Sequence, residues 1–231
     1  MQKQFKVIAF DADDTLWSNE PHFRIAEQEF CTLLKDYDTQ ENIYQLLLKT
    51  EIKNVPKYGY GAKGFTLSLM ETALTLTKKK LQGEITEKIL AIGTQLLSTP
   101  IVLLQGVEET LTKLQPHYKL VMATKGDLSE QTSKIKRSPL EHYFHHIEIM
   151  NEKDTHHYRE LMHTLRVKPE EFLMIGNSPK SDIQPVIELG ANAIHIPYKT
   201  TWIHEEVTEE ITSNRLYHFH SISEIPTFLG V

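Results

Sequence analysis

A doubly wound α/β fold carrying an inserted helical bundle is what this chain of 231 residues predicts, and three features of its patterning carry that prediction. The second half alternates short apolar runs with amphipathic stretches, the βαβ rhythm of a parallel sheet covered by helices on both faces. One further apolar run, Phe5 to Phe10, stands alone near the N-terminus. Between it and the alternating half lies a long stretch whose apolar residues recur only at helical spacing.

Taken in order, Phe5 to Phe10 is rich in Val, Ile and Phe with no polar alternation, as a strand buried on both faces would be, and it ends at Asp11. The segments EPHFRIAEQEFCTLL, ENIYQLLLKTEI, FTLSLMETALTLT and ITEKILAIGTQLL each space apolar residues three and four apart, so a bundle is expected over 18–98. Within it PKYGYGAKG, Pro56 to Gly64, reads as a turn-rich loop that reaches the active site, and Thr99-Pro100 ends the last helix. GVEETLTKLQ then opens a helix. YKLVMAT, HIEIM, EFLMIGN and ANAIHIP follow as strands, separated by the helical runs LSEQTSKIKRS, DTHHYRELMHTLR and DIQPVIELG. The core domain is therefore expected at 1–17 and 99–231, with 18–98 inserted. Ligands of a doubly wound sheet bind outside the carboxyl ends of its strands, where strand order reverses, so residues directly after strands matter most.

Composition narrows the function. Hydrophobic residues make up 40% and charged residues 24%, enough for a packed core. A net charge of −6 gives no basic excess with which to neutralise a nucleic-acid backbone, so no nucleic acid polymer is expected as partner. Cys31 is the single cysteine, which excludes an intrachain disulfide and a thiolate zinc site and suits a reducing compartment. The N-terminus lacks the length and cleavage pattern of a signal peptide, and no stretch approaches the ~20 apolar residues of a membrane helix. A soluble, cytoplasmic protein with no membrane partner is the expectation. The sequence leaves the oligomeric state open.

VIAFDADDTLW sets Asp11, Asp13 and Asp14 within four positions at the end of an apolar strand, with Thr15 next. Such mutual repulsion is easiest to rationalise if a cation sits among the acids, and Mg²⁺ takes one or two carboxylates while keeping several waters. With Asp11, Asp13 and Thr15, the D-x-D-x-T after a strand resembles the first motif of the haloacid dehalogenase superfamily, of the helical-cap phosphatase type. The resemblance implies Asp11 as nucleophile and Asp13 as general acid and base, which is sound chemistry: a carboxylate nucleophile divides one hard displacement into two easier ones. It continues with Thr124, which ends YKLVMAT, as the hydroxyl that holds a phosphoryl oxygen, and with Lys153 in NEKDTHHYRELM as the cation that offsets charge on nucleophile and phosphate. FLMIGNSPKSDI supplies Asn177, Ser181 and Asp182, with Asp182 as the metal ligand beside Asp11 and Asp13. Family members often carry acids at the positions of Asn177 and Ser181, so this chain is a polar variant. Thr15, Lys125, Gly126 and Asn177 are expected to face the substrate.

The implied activity is a Mg²⁺-dependent phosphatase acting on a small phosphorylated metabolite through an aspartyl phosphate. A phosphotransferase or mutase of the same fold remains open. A haloacid dehalogenase proper needs neither the second acid nor a metal, so Asp13 and Asp182 argue against it, and a catalytically idle phosphate-binding module is supported only by Asn177 and Ser181. Elsewhere ordinary readings suffice. Asp14 reads as a helix N-terminal charge, Lys78 to Lys80 as a solvated helix end, and His145-His146 and His156-His157 as surface histidines, since adjacent histidines do not share a helix face. Trp17 either packs at the core edge or lines the entrance to the site, and Trp202 packs at the core edge.

Overall fold

The computed structural model describes residues 5–200, 202 and 211–231. It contains two compact units, Met1–Glu20 with Ile101–Val231, and Pro21–Pro100. The division falls slightly C-terminal of the boundaries at 18 and 98 read from the sequence. One reason is local: the amide of Glu20 donates to the Asp14 carboxylate at 2.9 Å, which ties the first residue of the first helix to the α/β unit.

Four helices make up the inserted unit: α1 (Glu20–Leu33), α2 (Gln40–Tyr58), α3 (Ala62–Leu76) and α4 (Gly83–Ser98). Their apolar stripes meet in one core around Phe30, Leu34, Ile43, Leu47, Leu69 and Ile89. Each such side chain contributes roughly 1.5–3 kcal/mol by leaving water. Thr39 starts α2 by accepting the amide hydrogen of Asn42 on its hydroxyl. The loop expected over Pro56 to Gly64 is shorter than its composition suggests. Pro56 lies inside the last turn of α2, where its missing N–H removes a single helical bond. The chain reverses only through Gly59, Tyr60 and Gly61, and both glycines take positive φ, 71° and 96°, which a side chain would resist.

The other unit is built on six parallel strands, β1 (Val7–Phe10), β2 (Lys119–Lys125), β3 (His146–Met150), β4 (Phe172–Gly176), β5 (Asn192–His195) and β6 (Leu216–His218). They run in the order β3-β2-β1-β4-β5-β6, so strand order reverses at the central β1. Its helices are α5 (Val107–Leu114), α6 (Leu128–Arg137), α7 (Thr155–Leu165), α8 (Gln184–Glu188) and α9 (Ile225–Leu229). Alternation sends side chains of one strand to opposite faces. Ile8 and Phe10 of β1, Leu120 and Met122 of β2, and Leu173 and Ile175 of β4 pack with α5 and α9. Val7 and Ala9, Val121 and Ala123, and Phe172 and Met174 pack on the other side with Tyr158, Leu161 and Val186. Burial of both faces explains why these strands read as unbroken apolar runs. Sequence patterning predicts five strands. The sixth, β6, is three residues of Leu, Tyr and His at the sheet edge, too short to give a period.

Candidate active site

β1, β2 and β4 end together, and the residues that follow them form the site. The Asp11 amide donates to the Ile175 carbonyl at 2.9 Å, carrying the β1–β4 pairing one residue past the strand, so the Asp11 carboxylate stands at the rim of the sheet. The chain then turns tightly: Leu16 N–H donates to Ala12 O at 2.8 Å and Asp14 N–H to Trp17 O at 2.7 Å. Asp14 sits in the left-handed region at φ 62° and accepts the amides of Asn19 and Glu20, which caps α1. The third acid of the motif is thus a helix cap.

Lys153, in the loop between β3 and α7, joins two separate stretches of chain. Its ammonium donates to Asp11 Oδ1 at 2.5 Å and to Asp182 Oδ1 at 2.6 Å, with side-chain exposures of 2%, 9% and 1% for Lys153, Asp11 and Asp182. Two carboxylates share one cation in a nearly dry setting. Burial pushes the Asp11 carboxyl up to about 7; Lys153 opposes that rise and the neighbouring Asp182 adds to it. Burial also disfavours the Lys153 ammonium, yet the attraction of Asp11 and Asp182 prevails and holds its pKa well above the usual lysine range.

Asp182 is fixed by the wide helical turn Pro179–Ile183 that leads into α8. Its Oδ2 accepts the Ser178 amide at 3.0 Å, and Ser178 in turn accepts the Ser181 amide on its hydroxyl. Gly176 makes room for it. A β-carbon there would stand 2.2 Å from Asp182 Oδ2, so no other residue fits at the end of β4 without displacing the carboxylate. Asn177, next in line, is oriented to donate its amide to Thr15 Oγ1 at 3.1 Å, Asp11 Oδ2 at 3.3 Å and the Asp13 carbonyl at 3.3 Å. Lys125 donates to Ser181 Oγ at 2.9 Å, and Gly126 is held by its amide on Met150 O. Thr124, 1% exposed, accepts the Gln131 amide at 2.6 Å.

Asp11, Thr15, Lys153, Asn177 and Asp182 are therefore linked by side-chain bonds, and Thr124, Lys125 and Gly126 end the neighbouring strand. Asp13 directs its carboxylate away from the Asp11 and Asp182 pair, which leaves its main chain as the part able to meet a metal. Its carboxylate is turned to Lys134, Trp17 and Gln131, whose four hydrogen bonds of 2.7–3.2 Å occupy both oxygens, and only its main-chain carbonyl lies beside the Asp11 carboxylate through Asn177. Trp17 is 1% exposed and joins the core, so it packs rather than lining an entrance. Trp202 is half-buried. His146 bonds Glu148 and His157 bonds Asp154 near the surface; among the described residues no group of three His, Cys, Asp or Glu gathers to hold a metal. No helix among the described residues is long and apolar enough to cross a membrane.

Gln131 and Lys134 escape a reading of the sequence. They lie on α6, in a run that looks like a polar surface helix, yet both are buried together with Ile135. The one available signal is that two polar residues stand on the stripe a helix normally keeps apolar.

Comparison with known proteins bears on the family and the fold. The description of haloacid dehalogenase-like hydrolases matches residues 5–190. A haloacid dehalogenase-like family hydrolase from Xanthomonas campestris is 36% identical over 97% of this chain and 90% of its own, and superposes with a TM-score of 0.86. Two curated relatives are named glyceraldehyde 3-phosphate phosphatase: that of Pyrococcus furiosus is 26% identical over 99% of this chain and 93% of its own, and that of Methanothermobacter thermautotrophicus 25% over 85% and 87%. The chain belongs to the haloacid dehalogenase-like hydrolase family, whose Rossmann-like core the parallel sheet reproduces.

Proposed function

We propose that this hydrolase is a phosphomonoesterase that uses Mg²⁺ and acts on a small phosphorylated metabolite. The observation that carries the reading is the convergence of Asp11, Lys153 and Asp182 at the carboxyl end of the sheet, buried and mutually bonded. Buried charge of this kind is hard to account for as a stabilising device, since an apolar replacement often does as well. It suits a site that must handle a phosphoryl group.

The donor set fits a magnesium ion. Two hard carboxylates, Asp11 and Asp182, are brought together on Lys153, the main-chain carbonyl of Asp13 lies near Asp11 through Asn177, and Asn177 and the serines at 178 and 181 are polar groups able to hold bound waters. Held there, the ion would offset the charge of the phosphate and favour the ionised form of Asp11. Asp11 then attacks phosphorus through a carboxylate oxygen. The ester P–O bond breaks, the proton of Asp13 passes to the departing alcohol oxygen, and phosphate remains on Asp11. Asp13 next takes a proton from water as that water attacks phosphorus, which frees phosphate and regenerates the Asp11 carboxylate. Thr124 and Lys153 hold the phosphoryl oxygens and balance their charge throughout.

The helical unit is assigned the role of cap, the part of such an enzyme that excludes water and chooses the substrate. Glyceraldehyde 3-phosphate, named for the two curated relatives, is the first ester to try. A reducing, cytoplasmic setting suits the single buried thiol of Cys31. The test is Mg²⁺-dependent phosphate release from 4-nitrophenyl phosphate and from glyceraldehyde 3-phosphate: Asp11→Ala is expected to remove it, and undiminished release would refute the nucleophile.

A further inference from the structure

An acid and base that serves two successive proton transfers must be held where both the leaving oxygen and the later water can reach it. Asp13 lies in the turn after β1 with its side chain 22% exposed, so its rotamer needs to be fixed by bonding rather than by packing alone. The bonding is extensive. Oδ1 accepts the Trp17 indole N–H at 2.7 Å and the Lys134 ammonium at 2.8 Å; Oδ2 accepts the same ammonium at 2.8 Å and the Gln131 amide at 3.2 Å.

Lys134 is the centre of this arrangement. Its side chain is 10% exposed, and its remaining contact is Asn19 Oδ1 at 2.9 Å. An ammonium has three N–H donors, and three acceptors occupy them here, so none is left for a substrate phosphate. The residue is also rigidly mounted. Asp127 caps α6 by accepting the Glu130 amide, and Gln131, one turn before Lys134, ties the helix to the hydroxyl of Thr124 and the carbonyl of Lys125 at the end of β2. The Asp13 carboxylate is thereby keyed to the strand that carries the phosphoryl-binding threonine.

We propose that Lys134 is a positioning residue for Asp13: with Trp17 and Gln131 it fixes the carboxylate for proton transfer to the leaving group and does not touch substrate. This rests on the reading of Asp13 as acid and base. Proton transfer of that kind contributes typically 10²–10⁴-fold, and a displacement of about 1 Å in a positioned group can remove much of it. The loss falls unevenly on substrates. 4-Nitrophenolate departs with little need of a proton, whereas phenolate needs one.

The test compares kcat/KM, which reports the steps up to phosphoryl transfer and not the hydrolysis common to both esters, on 4-nitrophenyl phosphate and phenyl phosphate, with saturating Mg²⁺, for the full-length protein and its variants. Lys134→Met is expected to lower kcat/KM on phenyl phosphate at least about tenfold more than on 4-nitrophenyl phosphate. Lys134→Arg should restore most of the difference, and Trp17→Phe should shift the ratio in the same direction by less. Asp13→Asn sets the reference ratio. Equal losses of kcat/KM on the two esters would overturn the assignment while leaving the proposed function intact, provided Asp13→Asn still shows the unequal loss in kcat/KM. Should Asp13→Asn itself lose both activities equally, the positioning role falls with the acid–base reading. If Lys134→Met does not fold, Lys134→Arg and Trp17→Phe decide by the same ratio.

Discussion

Both units of this enzyme bury polar side chains, and they do so in opposite ways. In the α/β unit every buried charge at the site faces a counter-charge or an amide: Asp11 and Asp182 on Lys153, Asp13 on Lys134, Asp14 on the first turn of α1. In the helical unit Asn54, Ser68 and Thr72 are buried between α2 and α3, at exposures of 1%, 2% and 0%. Asn54 donates to Ser68, which donates back to the Gly64 carbonyl, but Asn54 Oδ1 and Thr72 Oγ1 have no hydrogen-bond partner among the described residues. A saturated ionic cluster resists the loss of any member, because each removal strands a charge. An incompletely bonded neutral pair is improved by removal. The first pattern belongs to chemistry and the second to packing between helices, and substitutions should tell them apart.

The largest effect is expected at Lys153. Lys153→Met should remove phosphatase activity and, by leaving Asp11 and Asp182 buried without their cation, destabilise the fold by about 3–5 kcal/mol in urea unfolding without Mg²⁺. Adding Asp11→Asn to it should return part of that loss, since one of the two stranded charges is then gone. A double variant no more stable than the single would mean that the cluster does not act through charge.

Metal binding gives the next effect. With Asp11 raised to about 7 by burial, the carboxyl is mostly protonated below that value and ionised above it in the metal-free protein. On the proposed donor set Mg²⁺ would bind the ionised form, so binding should release a proton and its affinity should rise with pH up to about 7 and level off above. Calorimetric titration should show Mg²⁺ affinity falling by up to about tenfold per pH unit below that point. A flat affinity from about pH 5 to 8 would show that Asp11 does not change ionisation on binding.

The smallest effect should have the opposite sign. Thr72→Val replaces an unpartnered buried hydroxyl with a methyl of the same shape, and is expected to stabilise the protein by about 1 kcal/mol with activity unchanged. A lower melting temperature for this variant would mean that the hydroxyl is satisfied in solution and that the contrast between the two units is smaller than drawn.

The sequence made much of the α/β unit legible because β1, β2 and β4 are buried on both faces and carry unbroken apolar runs, and because Asp11 and Asn177 follow directly after strands, Thr124 stands next to the end of β2, and Asp182 lies in the turn that follows β4. What escaped notice follows from geometry that no local pattern records. Lys134 and Gln131 act across more than a hundred residues of chain, and their helix has a polar sequence whose buried stripe cannot be told from a solvated one without the partner loop. Asp13 looks like its neighbours in the motif, yet the direction of its side chain is decided by Trp17 and Lys134. Pro56 reads as a breaker but sits where a helix is already ending, and β6 is too short to leave a signature.

Nucleophilic attack by Asp11 is the central claim, and trapping its product tests it most directly. Protein mixed with Mg²⁺ and excess 4-nitrophenyl phosphate, quenched in acid within one turnover and digested, should yield a phosphorylated peptide spanning residues 5–15 with the modification on Asp11, absent from Asp11→Asn. Phosphate release by an active enzyme that leaves every such peptide unmodified, or that marks a different residue, would contradict it.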